Sequence, residues 1–231
     1  MDIQAFSSGS KGNCYHITDG STRILLEAGI SFKETQKRLN FQLSGISGVL
    51  ITHEHGDHAK AVKDMVKSGI DCYMSQGTKD SLGIESHRIK VVKSKEQFRL
   101  GTWTILPFQA EHDAAEPLGF LLASGSEKLL YITDSFYCRY NFTGLTHMMV
   151  ECNYSPDILK ANVESGKIPT VLKNRLLKSH FSLPNVKEFL KANDLSKVQE
   201  IWLIHLSDGN SDAERFKREI AELTGKVVYI A

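Results

Sequence analysis

The segment Leu50-Ile51-Thr52-His53-Glu54-His55-Gly56-Asp57-His58-Ala59 sets three imidazoles and the Asp57 carboxylate within six residues, directly after an apolar run. On an extended segment His53 and His55 point the same way, while Asp57 and His58, adjacent at a helix start, can reach two different ions. Further donors stand at the ends of strand-like runs downstream: His112 after Phe108-Gln109-Ala110-Glu111, Asp134 after Tyr131-Ile132-Thr133, and His205 after Trp202-Leu203-Ile204. Five His and two Asp suffice for two divalent metal ions of four or five ligands each, sharing a bridging carboxylate and a bridging water. A set of N and O donors alone suits Zn²⁺, with Mn²⁺ or Fe²⁺ as alternatives. His16, His87 and His147 stand in no such context and are assigned structural or surface roles.

A two-metal site activates water for in-line attack on phosphorus while both ions neutralise the charge that develops on the phosphoryl oxygens. Phosphodiester hydrolysis is therefore the first reaction this donor set suggests, with Asp57 and Asp134 as its catalytic carboxylates. The loop Ser8-Gly9-Ser10-Lys11-Gly12-Asn13 offers backbone N–H groups that can cradle a phosphate, which makes Ser8, Ser10 and Asn13 candidate substrate-binding residues. A tight turn between two strands explains the same residues. Lys173, Arg175 and Lys178 form either a local basic patch for a polyanion or a solvated helix face. His180, just beyond them, is not needed to complete the ligand set. An imidazole there can give a departing alkoxide its proton or a phosphoryl oxygen a positive partner, so His180 is the third catalytic candidate.

The elements that must position these groups read as about ten strands, at 22–27, 48–52, 71–74, 88–92, 102–108, 118–123, 129–133, 148–151, 201–205 and 227–230. Helices are expected at 31–40, 57–68, 155–165, 182–193 and 211–223. Their start signals are the capping boxes Ser31-x-x-Glu34 and Ser211-x-x-Glu214, Ser155 ahead of Pro156, and Ser182 as an N-cap. Gly69, Gly166 and Gly225 fall where C-terminal caps are wanted. The runs 118–123 and 129–133, joined through Ser124-Gly125-Ser126, look like a hairpin, so a purely parallel sheet is not expected. Helices covering the outer faces of such sheets give a layered α/β sandwich.

A length of 231 residues with 41% hydrophobic content is enough for one domain over residues 1–231. Lys and Arg number 28 against 27 Asp and Glu, so no global basic field announces nucleic-acid binding and any polyanion must be met locally. The start has no basic and apolar leader pattern, and no stretch approaches the roughly eighteen apolar residues of a membrane span. A cytoplasmic protein with no membrane partner is expected, and a homodimer is left open. Cys14, Cys72, Cys138 and Cys152 form no C-x-x-C pair, which points to reduced, mostly buried thiols.

The order His53-x-His55-x-Asp57-His58, then His112, Asp134 and His205, resembles that of metallo-β-lactamase-fold hydrolases over nearly the whole chain. The resemblance implies an α/β fold, the metallo-β-lactamase αββα sandwich, in a single domain. Phe6-Ser7-Ser8-Gly9-Ser10-Lys11-Gly12-Asn13, Glu151-Cys152-Asn153, Lys178-Ser179-His180-Phe181-Ser182 and His205-Leu206-Ser207 are similar to the bacterial YycJ-type branch, which is associated with DNA exonuclease activity. By this resemblance His53, His55 and His112 hold one metal, Asp57, His58 and His205 the other, and Asp134 bridges them. His180 is then the extra active-site histidine, and Asn153 and Ser182 join the substrate-binding set. The chain departs from the family at Glu27-Ala28-Gly29, where the superfamily usually has Asp-x-Gly, a change at a supporting position rather than at a ligand. The 46 residues from Asp134 to His180 leave no room for the large inserted domain of β-CASP-type nucleic-acid-processing members.

The substrate expected is thus a phosphodiester, DNA ahead of a cyclic nucleotide. Thioester hydrolysis of the glyoxalase type and lactam hydrolysis use nearly the same ligands on carbonyl carbon and are the rival reactions. The missing export signal argues against a periplasmic lactamase. His55 argues against the redox members, which usually carry Glu there. A catalytically silent binding module is the last alternative, disfavoured because all seven ligands are present.

Overall fold

The computed structural model describes residues Met1–Ala231. It divides into one unit of Met1–Gln109 with Ala114–Ser126 and a second of Ala110–Asp113 with Glu127–Ala231. In the first unit a six-stranded sheet runs in chain order through β1 (Asp2–Ser7), β2 (Cys14–Thr18), β3 (Arg23–Leu26), β4 (Ile46–Leu50), β5 (Cys72–Met74) and β6 (Ile89–Val91). The pairs β1–β2 and β2–β3 are antiparallel, and β3 to β6 are parallel. A register shift between Ala5 and Ser7 breaks the β1–β2 ladder where the Ser8–Asn13 loop begins, a bulge that re-aims the chain. The same unit carries the antiparallel set β7 (Phe98–Leu100), β8 (Trp103–Gln109) and β9 (Leu118–Ser124).

Helices α1 (Phe32–Arg38), α2 (Gly56–Ala59), α3 (Val62–Lys67) and α4 (Gln76–Leu82) complete this unit. The stripe Ala59, Val62 and Met65 is buried with Leu25, Val49 and Ile51, so the segment after the histidine motif is fixed against the core. The single helix expected at 57–68 is interrupted. The Ala61 N–H leaves the helical ladder to donate to the Ala28 carbonyl at 2.8 Å, which ends α2 and ties it to the loop after β3.

The second unit is all parallel: β10 (Glu127–Ile132), β11 (His147–Glu151), β12 (Glu200–Ile204) and β13 (Val227–Ile230), each in register with the next. Leu129 to Ile132 and Met148 to Val150 are wholly buried, the continuous apolar run of strands covered on both faces. Crossovers carry α5 (Pro156–Glu164), α6 (Thr170–Ser179), α7 (Leu183–Ala192) and α8 (Ala213–Thr224). Helix α6 was not expected. It is the solvated face carrying Lys173, Arg175 and Lys178, and Arg175 is ion-paired with Asp113 at 2.8 Å. Ser31 caps α1 on the Glu34 N–H and Ser182 caps α7 on the Asn185 N–H. The expected Ser211 cap is instead Asp212, whose carboxylate accepts the Arg215 N–H, so the cap falls one residue later than its sequence signal. Ser155 precedes α5 without capping it, and its hydroxyl bonds Asp157.

All four cysteines are free, with Cys138 half-buried and the rest buried; burial pushes the Cys14 and Cys72 thiols up to about 12. No helix is long and apolar enough to cross a membrane.

Candidate metal centre

In the first unit the donors lie on the turn from β4 into α2. His53 and His58 are buried, His55 and Asp57 half-buried. The His53 ring lies 4.6 Å from that of His55 and 4.2 Å from that of His58, and His53 Nε2 is 3.1 Å from His55 Nδ1. His58 Nε2 is 3.5 Å from Asp57 Oδ2. Behind His58 stands Glu27, fully buried, with Oε1 3.5 Å from His58 Nδ1 and Oε2 accepting the Thr52 N–H at 3.2 Å. An imidazole backed by a carboxylate has its far nitrogen oriented and made more basic, the usual arrangement behind a metal-binding histidine. Glu27 stands beside His58 Nδ1 without a hydrogen bond to it.

The backbone holds this turn tightly. Asn13 N–H donates to the Asp57 carbonyl at 2.8 Å and Ala28 N–H to the His58 carbonyl at 2.7 Å. Gly29 approaches so closely that a Cβ there would lie 1.7 Å from the Asp57 carbonyl oxygen, so only glycine fits.

In the second unit the donors stand at the carboxyl ends of parallel strands, where open α/β sheets place their ligand sites. Asp134 follows β10, Glu151 ends β11 and His205 follows β12, while His180 ends α6. The ligand atoms of Asp134, Glu151, His180 and His205 all lie within 4.8 Å of one another. Glu151, fully buried, accepts the Ser135 and Phe181 N–H groups on Oε2 at 3.0 and 3.1 Å. Its Oε1 faces His180 Nδ1 at 2.5 Å and His205 Nδ1 at 3.3 Å. Burial raises the Glu151 carboxyl and His180 lowers it, with a net result below the usual carboxylate value. For His180, burial pulls the imidazole down, but the Glu151 charge and hydrogen bond, with Asp134, carry it above its ordinary value. His112, in the same unit, is lowered, chiefly by burial, with Asp134 opposing.

The surroundings of Asp134 fit a metal. The His112 Nδ1 proton goes to the Ser179 carbonyl at 2.8 Å, which leaves the Nε2 lone pair 3.4 Å from Asp134 Oδ2. His205 Nε2 lies 3.5 Å from the other oxygen, Oδ1, with Nδ1 between Glu151 Oε1 at 3.3 Å and Asn153 Nδ2 at 3.1 Å. Each carboxylate oxygen therefore faces an imidazole nitrogen, with Oδ1 also accepting the Thr133 hydroxyl at 2.9 Å, so that nitrogen and oxygen donors converge on Asp134 as a divalent cation requires. The donor set fits divalent metal.

The five residues expected to touch substrate are placed differently from one another. Ser10 is exposed, and Ser8 is half-buried with its hydroxyl 2.8 Å from that of Tyr15. Asn13 is buried, its Oδ1 accepting from Gly9 N–H and Tyr15 and its Nδ2 donating to the Gly9 and Asp57 carbonyls. Asn153 Nδ2 donates to the His205 carbonyl at 2.9 Å, and Ser182 is a buried N-cap. Ser182 acts on the scaffold, while Asn13 and Asn153 bond backbone groups and also meet donor imidazoles, Asn13 Nδ2 lying 3.3 Å from His58 Nε2 and Asn153 Nδ2 3.1 Å from His205 Nδ1. Glu151 is the residue that sequence reasoning did not place in the site. Its signal was a lone charge closing the apolar run Met148-Met149-Val150, since a carboxylate so buried needs partners. His16 stacks on Phe6 and His147 bonds Thr146, in keeping with structural roles.

The family model described as the β-lactamase superfamily domain matches residues 22–206. The chain is 25% identical to "Exodeoxyribonuclease YycJ" of Bacillus anthracis over 241 residues, covering 96% of this chain and 89% of that one. It is 27% identical to "Exodeoxyribonuclease WalJ" of Streptococcus pneumoniae over 225 residues, covering 90% and 82%. Among solved structures, the metallo-β-lactamase fold protein YhfI from Bacillus subtilis matches with a TM-score of 0.76 at 14% identity over 99% of this chain and 95% of that one, a likeness of fold. With the match of the family model over most of its length, the chain belongs to the β-lactamase superfamily domain and is a hydrolase of the metallo-β-lactamase fold.

Proposed function

We propose that this protein is a dinuclear metal-dependent phosphodiesterase acting on DNA as an exonuclease. The observation that carries the reading is Asp134, with one imidazole nitrogen facing each carboxylate oxygen at 3.4 and 3.5 Å. In this reading His53, His55 and His112 would hold one ion and Asp57, His58 and His205 the other, with Asp134 as a further ligand. Zinc is the first choice, because the donors are imidazole nitrogens and carboxylate oxygens with no thiolate. When bound, the two ions supply Lewis acidity toward a phosphoryl oxygen and an acidified water.

The chain's own groups do the rest. Glu151 holds the His180 ring through Nδ1 beside Asp134, so that His180 can hand a proton to the leaving oxygen or hydrogen-bond a phosphoryl oxygen. Glu27 and Glu151 orient the imidazoles of His58 and His205. DNA as the substrate is supported by the likeness to the two exodeoxyribonucleases over most of each chain.

The test is metal reconstitution followed by an activity panel of linear duplex and single-stranded DNA, bis-p-nitrophenyl phosphate, cyclic mononucleotides, a thioester and nitrocefin. Two divalent ions per chain are expected, with DNA hydrolysed from its ends and nitrocefin untouched. Turnover of the thioester or nitrocefin above that of every phosphodiester rejects the reading, and preference for a cyclic nucleotide over DNA replaces its substrate.

A further inference from the structure

Within the second unit a cavity of about 590 Å³ opens beside the loop that follows Asp134, within the size range of pockets that take a ligand of nucleoside size. Its walls include Phe136, Tyr137, Arg139, Phe181, Asn185 and Glu188. Two of these aromatics are unusually open for their type, Tyr137 57% and Phe136 37% exposed, whereas Phe181 is buried.

The walls are fastened to the donor loops. Phe136 lies two residues after Asp134, and its N–H donates to the Glu111 carbonyl at 3.1 Å, next to His112. Phe181 follows His180, and its N–H is held by Glu151. Arg139 is ion-paired with Glu111. Asn185 Nδ2 donates to the Phe136 carbonyl at 3.2 Å and fixes the aromatic's backbone. Two residues of chain span at most about 7 Å, so the backbone of Phe136 in the cavity wall lies within that distance of the Asp134 backbone.

Charge says what part of a nucleotide it takes. Arg139 is the cavity's one cation and is already paired, and Glu188 adds an anion, so a phosphate is not favoured there. Exposed aromatic faces with no free cation suit a planar neutral ring, and every base has a face to stack.

We infer that this cavity holds the nucleobase beside the scissile phosphate, stacked on Phe136 and Tyr137, and so selects strand ends whose bases are unstacked. The inference rests on the nuclease reading above. It makes Phe136 and Tyr137 specificity-determining residues and predicts a preference for single-stranded or frayed ends.

The test compares an oligonucleotide with one bearing abasic sites at the two nucleotides flanking its terminal phosphodiester. The metal-loaded protein is expected to lose roughly 10-fold or more in kcat/KM on the abasic strand, the scale of removing a base–aromatic stack. In Phe136→Ala/Tyr137→Ala the penalty collapses toward unity, and in Tyr137→Trp, which keeps a stacking face, it persists. Both positions are exposed, and a thermal melt confirms folding of each variant. Equal rates of the unaltered protein on the two strands overturn the inference, as does a penalty that survives in the double alanine variant. Should neither strand be cut, the nuclease reading falls. Fluorescence anisotropy on the same pair then still decides whether the cavity takes a base: equal affinities, or a base-dependent affinity that survives in Phe136→Ala/Tyr137→Ala, overturn the inference, and one lost in that variant upholds the base site.

Discussion

In the first unit the donor turn is fixed from its backbone: the Asp57 and His58 carbonyls accept N–H groups from Asn13 and Ala28, and Gly29 packs directly against Asp57. In the second unit Asp134, His180 and His205 gather around one buried side chain, Glu151, which also takes two backbone N–H groups. The two halves therefore have opposite weaknesses. The first should resist loss of a supporting carboxylate but not an added methyl group, because its geometry is held by peptide contacts. The second should resist backbone substitutions and fail when the carboxylate is neutralised, because one charge orients two imidazoles and two amides.

The largest expected effect falls on the carboxylate that carries the proposed reaction. Asp134→Ala should reduce DNA hydrolysis by on the order of 10³-fold or more, several kcal/mol of charge stabilisation, with the fold retained by circular dichroism. Activity near the unaltered level in a folded Asp134→Ala rejects its role.

Next come two variants aimed at the contrast itself. In Gly29→Ala the new Cβ meets the Asp57 carbonyl and must push the donor turn outward; a displacement near 1 Å costs roughly 10²-fold in turnover. Unchanged turnover in Gly29→Ala would show that the turn is not held by this contact. Glu151→Gln keeps size but removes the charge facing His180 and His205, and zinc affinity, read by competition with a chromophoric chelator, should fall about 10- to 100-fold. If Glu151→Gln binds zinc as the unaltered chain does, the second half is not organised by its carboxylate.

The same contrast explains what could be read beforehand. His53, His55, Asp57 and His58 are neighbours in the chain, so their chemistry was visible as a motif before any fold was known. His112, Asp134 and His205 were visible only as polar residues closing strand-like runs, and strand 201–205 was placed within one residue of β12. What stayed hidden depends on tertiary contacts. The break between α2 and α3 needs the Ala28 carbonyl, more than thirty residues upstream of Ala61. Glu151 acquires its role only once β11 lies between β10 and β12, which brings its carboxylate to the ends of strands whose following residues are Asp134 and His205. Local conformation carries a further trace: of the six non-glycine residues with positive φ, Glu27, Asp134 and His205 all sit at strand ends of the site, where strain is tolerated for function.

The smallest effect should come from Glu27→Asp, which restores the residue type the superfamily usually has. Glu27 adopts φ 66°, a region that Asp enters more readily than Glu, so the change relieves some backbone strain. Against that, the carboxylate draws back by one methylene, about 1.5 Å, from Thr52 N–H and His58 Nδ1, now at 3.2 and 3.5 Å. Leaving the buried Thr52 N–H without a partner costs about 1–3 kcal/mol, less whatever the eased φ returns. The peptide contacts that set the turn, Glu27 N–H to the Leu50 carbonyl at 2.9 Å and Ala28 N–H to the His58 carbonyl at 2.7 Å, do not involve the side chain and persist. Glu27→Asp should therefore shift the melting temperature by only a few degrees and weaken zinc binding by about 10-fold or less, the low end for a supporting residue. A loss of zinc affinity as large as that of Glu151→Gln would mean that the first half, too, is organised by its buried carboxylate.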